Sequence, residues 1–573
     1  MKTLLLALNS KYIHTNLAVR YLKEYSRQHN IKDIDFAEYT INHHLPFVID
    51  EIYRKKPDIL FLSCYIWNIE MMLDFAKEYK MISPKTLIIA GGPEVSYNSK
   101  EILQENSAID MILCGEGEKP FVQLMEYFGG ERELKNVKSL TYRGENKIIE
   151  NEWEEEIDLA ELPFAYMDLK ELEHKIVYFE SIRGCPFRCS YCLSSIIKKV
   201  RYMPIEQACA YLQIFIDAKV PQVKFVDRTF NCKKEHSMAI WKYLAEHDNG
   251  ITNFHFELSA HLIDEEMLEF LSTVRAGLFQ FEVGVQSTNE NTIKEIHRTT
   301  STDKLLEICQ KIDSFKNIHL HLDLIAGLPY ENLESFGRSF DKVMSIKPEQ
   351  MQLGFLKVLK GSPLAEKVEE YGIIHSKKAP FQTYSTKWIS YDEMLILKDM
   401  EEMVETYYNS GLYPQTIKYI LSQEISDFAF FKDFGQFWIK NNYHLKNQNP
   451  EEKLTILRDF YLSRNENNKN NLELFKDLCL YDICQHAKPK KFPNWLSSNK
   501  NLEFKQEINN FFDLPETIPQ LLPEYLNEEP KKVQKLAHLQ VFSYNPFTHK
   551  KENTAILFNY RAENSVKITT VEI

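Results

Sequence analysis

The sequence predicts an α/β protein of several domains, and three observations carry that prediction. Between residues 1 and 130 short apolar runs alternate with amphipathic stretches, the rhythm of an open parallel sheet with helices on both faces. From 175 to 365 a second β/α series supplies six strand–helix units, which fits a partial version of a parallel barrel. After 366 the chain becomes rich in Lys, Glu, Asn and aromatic residues, mainly helical with strands at its end. A chain of 573 residues cannot be one core, and about 150 residues per domain suggests three or four.

In the first, Rossmann-like domain (1–130), strands are expected at 3–8, 33–37, 58–63, 86–90 and 110–113. Helices are expected near 15–28, 67–80, 99–104 and 117–128. Residues 131–173 read as a linker with a hairpin at 137–150, an acidic run Glu154-Glu155-Glu156, and Pro163, which biases Leu162 away from helix. The barrel, 174–365, should place strands at 176–182, 222–227, 254–260, 278–285, 318–325 and 350–358. In the last domain, 366–573, residues 392–423 read as a long helix broken at Ser410-Gly411. Strands are expected at 539–544, 555–560 and 566–572. The Asn465–Asn471 run reads as a solvated loop.

Composition excludes several classes. A net charge of −13 argues against a nucleic-acid footprint. Ten cysteines are too few for a disulfide scaffold. The apolar start, Thr3–Leu8, ends in Asn9-Ser10-Lys11 without a small-residue cleavage site and reads as a buried strand. No window holds the roughly 18 apolar residues of a membrane span. The expectation is a cytoplasmic protein with reduced thiols.

One run carries chemistry: Arg183-Gly184-Cys185-Pro186-Phe187-Arg188-Cys189-Ser190-Tyr191-Cys192, a C-x3-C-x2-C spacing directly after the first barrel strand. Three thiolates in one loop can ligate three irons of a cubane cluster. Protein-held clusters usually take four cysteines, so one iron stays open. Structural zinc is the alternative, but such sites close with four ligands in two pairs. No second C-x2-C lies downstream; Cys209, Cys232 and Cys309 are isolated.

With Cys185, Cys189, Tyr191 and Cys192 after a strand, the chain resembles the radical S-adenosylmethionine (SAM) superfamily over about 175–365. The resemblance implies a [4Fe-4S] cluster on Cys185, Cys189 and Cys192. Its open iron binds SAM, and one-electron reduction yields a 5′-deoxyadenosyl radical. It also implies an external electron donor such as flavodoxin or ferredoxin. Similar members carry SAM contacts where this chain has Tyr191, Asp227, Glu257, Glu282 and Gln286. The runs Glu282-Val283-Gly284-Val285-Gln286-Ser287 and Asp323-Leu324-Ile325-Ala326-Gly327-Leu328-Pro329-Tyr330-Glu331 resemble those of cobalamin-type and methylthiotransferase-type members. Each carboxylate, read alone, is equally a hydrogen-bonded rim group.

In the first domain, Ser63-x-Tyr65 followed by Gly91-Gly92, and Gly115-Glu116-Gly117-Glu118, are similar to the runs of cobalamin-binding domains. The resemblance implies cobalamin contacts at Ser63, Gly91, Gly92, Glu116 and Gly117. Glycines admit a ligand to the backbone, although they also simply make tight turns. The Asp-x-His-x-x-Gly motif that supplies cobalt with a histidine is absent, and His14 does not match its spacing. The last domain resembles the uncharacterised one that follows the barrel in one subgroup. Cys479 and Cys484 read as free thiols.

The function expected is a cobalamin-dependent radical SAM enzyme, transferring a methyl group or otherwise modifying an unknown, small-molecule substrate. A tRNA methylthiotransferase is the second reading, disfavoured because the first domain holds only Cys64 and Cys114. A non-enzymatic cobalamin or cluster carrier or sensor is the third.

Overall fold

Residues 3–9 read Thr-Leu-Leu-Leu-Ala-Leu-Asn, a run with no polar alternation, and every one of them is buried. Leu4, Leu6 and Leu8 point into one apolar cluster, Leu5 and Ala7 into another on the opposite face. A strand buried on both sides belongs at the centre of a parallel sheet covered by two helix layers. The computed structural model shows that arrangement. It describes residues 1–197, 199–464, 471–489, 492–496, 500–562 and 566–573. The chain divides into two compact units, Met1–Met394 and Leu395–Ile573.

The first sheet of unit 1 contains β1 (Thr3–Asn9), β2 (Ile34–Thr40), β3 (Ile59–Ser63), β4 (Leu87–Gly91) and β5 (Met111–Leu113), all parallel. The expected hairpin forms β6 (Leu140–Arg143) and β7 (Ile148–Glu150). These two extend the sheet antiparallel, in the order β2-β1-β3-β4-β5-β6-β7. Helix Leu45–Lys55, which the sequence reading omitted, makes the crossover from β2 to β3. Its signal was a short one: Leu45, Val48, Ile49 and Ile52 on one face, with Pro46 in the first turn where a missing N–H costs nothing.

The second sheet begins with β8 (Val177–Phe179). The expected strand 176–182 is split, because the chain leaves the sheet at Glu180 and continues as β9 (Ile182–Arg183), which pairs antiparallel with β10 (Arg201–Tyr202). The barrel continues with β11 (Gln222–Phe225), β12 (Asn253–Leu258), β13 (Phe279–Gln286), β14 (His319–Ala326) and β15 (Gln350–Phe355). All six barrel strands are parallel, in the order β8-β11-β12-β13-β14-β15. Alternation in β13 sends Phe279, Phe281, Val283 and Val285 outward into the helix layer. There Phe225, Phe230, Phe256 and Trp241 join them, with neighbouring rings 4.4–6.3 Å apart. The other face carries Gln280, Glu282, Gly284 and Gln286. This lumen is polar where a closed eight-stranded barrel would be filled with branched apolar residues. Gln222 donates to Asn253 and Gln280 at 3.1 and 3.4 Å and ties its floor together.

Two short strands, β16 (Ile374–His375) and β17 (Thr383–Ser385), close unit 1. The expected long helix is observed as Tyr391–Met403, a π-helical stretch Val404–Asn409, a break at Gly411 with φ +64°, and Pro414–Leu421. Unit 2 is mainly helical and ends in an antiparallel sheet, β18 (His538–Phe542), β19 (Thr554–Asn559) and β20 (Lys567–Val571). The loop expected at Asn465–Asn471 lies, apart from Asn471, outside the described residues. Among those described, no helix is long and apolar enough to cross a membrane.

Candidate functional site

The β9–β10 pair is the neck of the cysteine loop, and it pairs Arg183 with Arg201 and Ile182 with Tyr202. Gly184 follows with φ +100°, and a Cβ there would collide with the Lys199 carbonyl oxygen. Only glycine lets the two legs pass this closely. Beyond the neck the loop is held by its own backbone: Cys192 N–H donates to Cys189 O at 3.1 Å and Ser195 N–H to Cys192 O at 3.2 Å. Ser190 is bonded outward on both sides, donating to Ile296 O at 3.0 Å and accepting from Leu364 N–H at 2.9 Å.

Cys185, Cys189 and Cys192 are free thiols that line one cavity of about 180 Å³ with Tyr191. Cys185 Sγ lies 3.5 Å from Thr229 Oγ1, and Arg298 donates to Cys189 Sγ at 3.9 Å. Burial pushes the Cys189 thiol up, and Arg298 opposes it. The far wall is formed by Glu257, Glu282, Gln286 and Asp323 from the carboxyl ends of three strands. Four of the five residues expected beside SAM are thus brought together: Tyr191, Glu257, Glu282 and Gln286.

The carboxylates there are set apart by their neighbours. Glu257 is raised by burial, with Arg228 opposing at 3.8 Å. Burial would raise Glu282 too, but His255 at 3.1 Å and Lys224 at 3.0 Å outweigh it and hold it low. Asp323 is raised by burial against His321 at 3.0 Å. Gln286 adopts φ +71° at a register shift between Gly284 and Gln286. Such strain in a non-glycine residue costs about 1–3 kcal/mol and collects at functional sites. It turns the amide into the cavity, where Gln286 Oε1 and Arg298 Nε are buried without a hydrogen bond. Three thiols facing unsatisfied polar atoms fit a metal cluster with a polar, charged ligand on it.

Asp227, the fifth residue expected beside SAM, is placed outside the cysteine cavity. It lines none of these cavities. It is fully buried and accepts from Ser181 N–H at 2.8 Å, Ile182 N–H at 3.0 Å and Ser181 Oγ–H at 2.5 Å. Its carboxylate holds the bend where the chain leaves the barrel for the neck, and burial raises it to about 7. The Gln-Ser and Gly-Leu-Pro-Tyr-Glu runs also brace each other: Ser287 Oγ–H donates to Glu331 at 2.8 Å.

Glu116, an expected cobalamin contact, is placed against the neck. It accepts from both terminal nitrogens of Arg201, lies 3.3 Å from Arg183, and takes the Ile157 N–H at 3.1 Å. Glu118 and Glu180 reach Arg183 at 2.9 and 2.7 Å. Burial pushes the Glu116 carboxyl up, but the two guanidinium groups outweigh it. The Gly-Glu-Gly-Glu run thus anchors the cysteine-loop neck to the first sheet. Its glycines do something else: Gly115 and Gly117 line an apolar slot of about 170 Å³ with Ser63, Gly91, Gly92, Phe61 and Leu113. Gly92 has φ +111°, and a Cβ there would strike the Cys64 carbonyl.

Between the slot and the cysteine cavity lies a chamber of about 790 Å³. Tyr65, Pro93 and Glu118 line both chamber and slot, and Ser194, Arg228 and Glu257 line both chamber and cysteine cavity. Tyr65 and Trp67 stack at 4.5 Å on one wall, and Tyr178 faces the chamber from β8. His14, whose spacing does not match the cobalt-ligand motif, also lines it, bonded through Nδ1 to Tyr178 Oη at 2.7 Å. Sequence reasoning missed Lys224, Arg228, His321 and Arg298. The signal was available for Lys224, His255 and His321, since polar residues at period two inside otherwise apolar strands mark a wetted lumen.

Comparison with known proteins agrees with this geometry. Residues 3–125 match the B12 binding domain, 179–343 the radical SAM superfamily, and 369–558 a domain of unknown function, DUF4080. The chain therefore carries three matched stretches in order: B12 binding, radical SAM and DUF4080. It is 25% identical to the cobalamin-dependent radical SAM methyltransferase TokK of Streptomyces tokunonensis, over 56% of this chain and 50% of that one. It is 24% identical to the hopanoid C-3 methylase of Methylococcus capsulatus, over 51% and 58%. The chain spans about half the length of the curated relatives it matches best among these. Among solved structures, the cobalamin-dependent SAM radical enzyme OxsB shares the fold over 92% of this chain and 81% of that one, with a TM-score of 0.59 and 15% identity. The methyltransferase TsrM from Kitasatospora setae covers 66% and 76%, with a TM-score of 0.55 and 13% identity.

Proposed function

We propose that this protein is a cobalamin-dependent radical SAM enzyme acting on a small molecule, with methyl transfer as its reaction. The observation that carries the reading is the continuity of three spaces: a three-cysteine cavity, a chamber between sheet and barrel, and a glycine-walled slot. Cys185, Cys189 and Cys192 would hold a [4Fe-4S] cluster, which when reduced supplies reductive cleavage of SAM to a 5′-deoxyadenosyl radical. Cobalamin would lie in the chamber with its tail toward Ser63, Gly91, Gly92 and Gly117, and it supplies a transferable methyl group.

The chain's own residues bind, orient and shield. Glu257, Glu282 and Gln286 offer acceptors to the amino and ribose groups of SAM, and Arg228 and Arg298 offer cations to its carboxylate. Tyr191 packs beside the cluster loop. The apolar layer outside the barrel and the bonded floor exclude water from a reactive radical. Curated relatives named as methyltransferases support methyl transfer.

The domain division we propose is 1–130, 131–173, 174–365 and 366–573, supported by the three matched stretches. A cytoplasmic location, an external flavodoxin or ferredoxin as reductant, and no role for nucleic acid complete the reading. Ten free cysteines fit a reducing compartment, and the negative net charge disfavours nucleic acid.

The test is anaerobic reconstitution. We expect about four irons per chain, bound cobalamin in the visible spectrum, and 5′-deoxyadenosine from SAM with dithionite. A loaded cluster that leaves SAM intact refutes the reading.

A further inference from the structure

The cluster proposed above has to receive its electron from outside, and one face of the protein is built differently from the rest. Arg298 lines the cysteine cavity and also a second, polar depression of about 710 Å³. Its Nη1 donates to Cys189 Sγ at 3.9 Å. The segment leading to it is bonded to the cysteine loop itself, through Ser190 N–H to Ile296 O at 3.0 Å. Arg298 is therefore a side chain common to the depression and the cysteine cavity.

Its charge is also distinctive. Lys294 and His297 line it and are exposed, and Lys304, equally exposed, follows one turn into the next helix. Arg298 and Lys304 both act on His261, whose ring packs at 5.6 Å on Phe187 inside the cysteine loop. Asp303 is neutralised by Lys342 at 2.7 Å, leaving Glu290 as the depression's other carboxylate. In a chain of net charge −13, cations are in local excess beside the cysteines.

We propose that the basic rim formed by Lys294 and Lys304, beside the Arg298 that reaches the cysteines, is the docking surface for an acidic one-electron carrier protein that reduces the cluster. The inference rests on the reading of the cysteine loop as a [4Fe-4S] site. One electron leaves the carrier, which is oxidised, and arrives on the cluster, which is reduced; no bond forms or breaks. Opposite charge raises the encounter rate and fixes orientation, and salt screens both effects.

The test compares two reductants on the reconstituted full chain: a reduced flavodoxin, itself strongly acidic, and dithionite. The double variant K294E/K304E touches neither SAM nor the cysteines. Cluster reduction is followed by its electron paramagnetic resonance signal, and 5′-deoxyadenosine formation in parallel. We expect reduction by flavodoxin to slow about tenfold or more in the variant at low salt, with the dithionite rate unchanged. Wild-type reduction by flavodoxin should slow steeply as salt rises, whereas the variant's should not; the wild-type salt series stands by itself if the variant takes up no cluster. Equal flavodoxin rates in the two proteins, a wild-type rate indifferent to salt, or no transfer from flavodoxin to wild type overturn the proposal. Absence of 5′-deoxyadenosine with dithionite instead overturns the enzymatic reading.

Discussion

Arg201 is the residue whose loss should separate the loop's chemistry from its scaffold most cleanly. Its side chain is 7% exposed and carries bonds to both oxygens of Glu116 and, at 2.7 Å, to Ile157 O. Replacing it with methionine keeps the bulk and removes the charge. Glu116 is left with Arg183 at 3.3 Å, which also serves Glu118 and Glu180, and Ile157 O loses its side-chain donor. Breaking one partner of a buried pair costs roughly 3–5 kcal/mol. Because Glu116 is 23% exposed and can recruit water, the low end, about 3 kcal/mol, applies. That energy falls on the β9–β10 neck, so opening of the cysteine loop should become about a hundredfold more frequent, at 1.4 kcal/mol per factor of ten. The assay is the rate at which a chelator removes iron from the reconstituted protein, with circular dichroism confirming the folded sheet. Adding E116Q to R201M should recover part of the loss, because the under-compensated carboxylate charge disappears. Iron release from R201M at the wild-type rate would refute the assignment of this cluster as the neck's anchor.

Three further outcomes are expected. G184A should fold but incorporate far less iron, measured as iron and sulfide per chain, since its Cβ meets the Lys199 carbonyl at a φ of +100°. Q286G should raise the melting temperature by relieving about 1 kcal/mol of left-handed strain while weakening SAM binding in equilibrium dialysis. Asp227 has a folded pKa raised to about 7 against an ordinary 3.8, so between those values the native state binds more protons than the unfolded one. Its contribution to stability is therefore greatest below about pH 4 and is lost as pH rises toward 7; D227N should flatten that slope in melting curves taken from pH 5 to 8.

What was legible in the sequence follows from what each pattern encodes. Runs buried on both faces, such as Thr3–Asn9, can only be central strands, and the parallel order followed from the helices between them. The cysteine spacing is local, so its loop needed no tertiary knowledge. Asp227 and Glu116 were legible as important but not in role. Both follow strand ends, where a carboxylate serves equally well as a ligand contact or as an anchor. What decides is the partner, and their partners are remote: Ser181 and Ile182 lie about 45 residues from Asp227, and Arg201 lies 85 from Glu116. Helix Leu45–Lys55 was missed for a simpler reason, a short apolar face interrupted by a proline that the first turn tolerates.

Asp227 and Glu116 change how the parts of the first unit are understood together. Asp227 fixes the bend at which the chain leaves the barrel, and Glu116, Glu118 and Glu180 grip the arginines of the neck that follows. Two of those carboxylates come from the first sheet, in the same Gly-Glu-Gly-Glu run whose glycines wall the slot. One segment thus shapes the space assigned to cobalamin and, two side chains later, holds the loop assigned to the cluster. Filling of the slot and ordering of the cysteine loop should then be coupled through a rigid link of a few residues, because Gly117 cannot shift without displacing the Glu116 and Glu118 carboxylates from Arg183. Such coupling has a direct thermodynamic form: cobalamin should slow iron release from the wild type and do so less in R201M, where one half of the grip is gone.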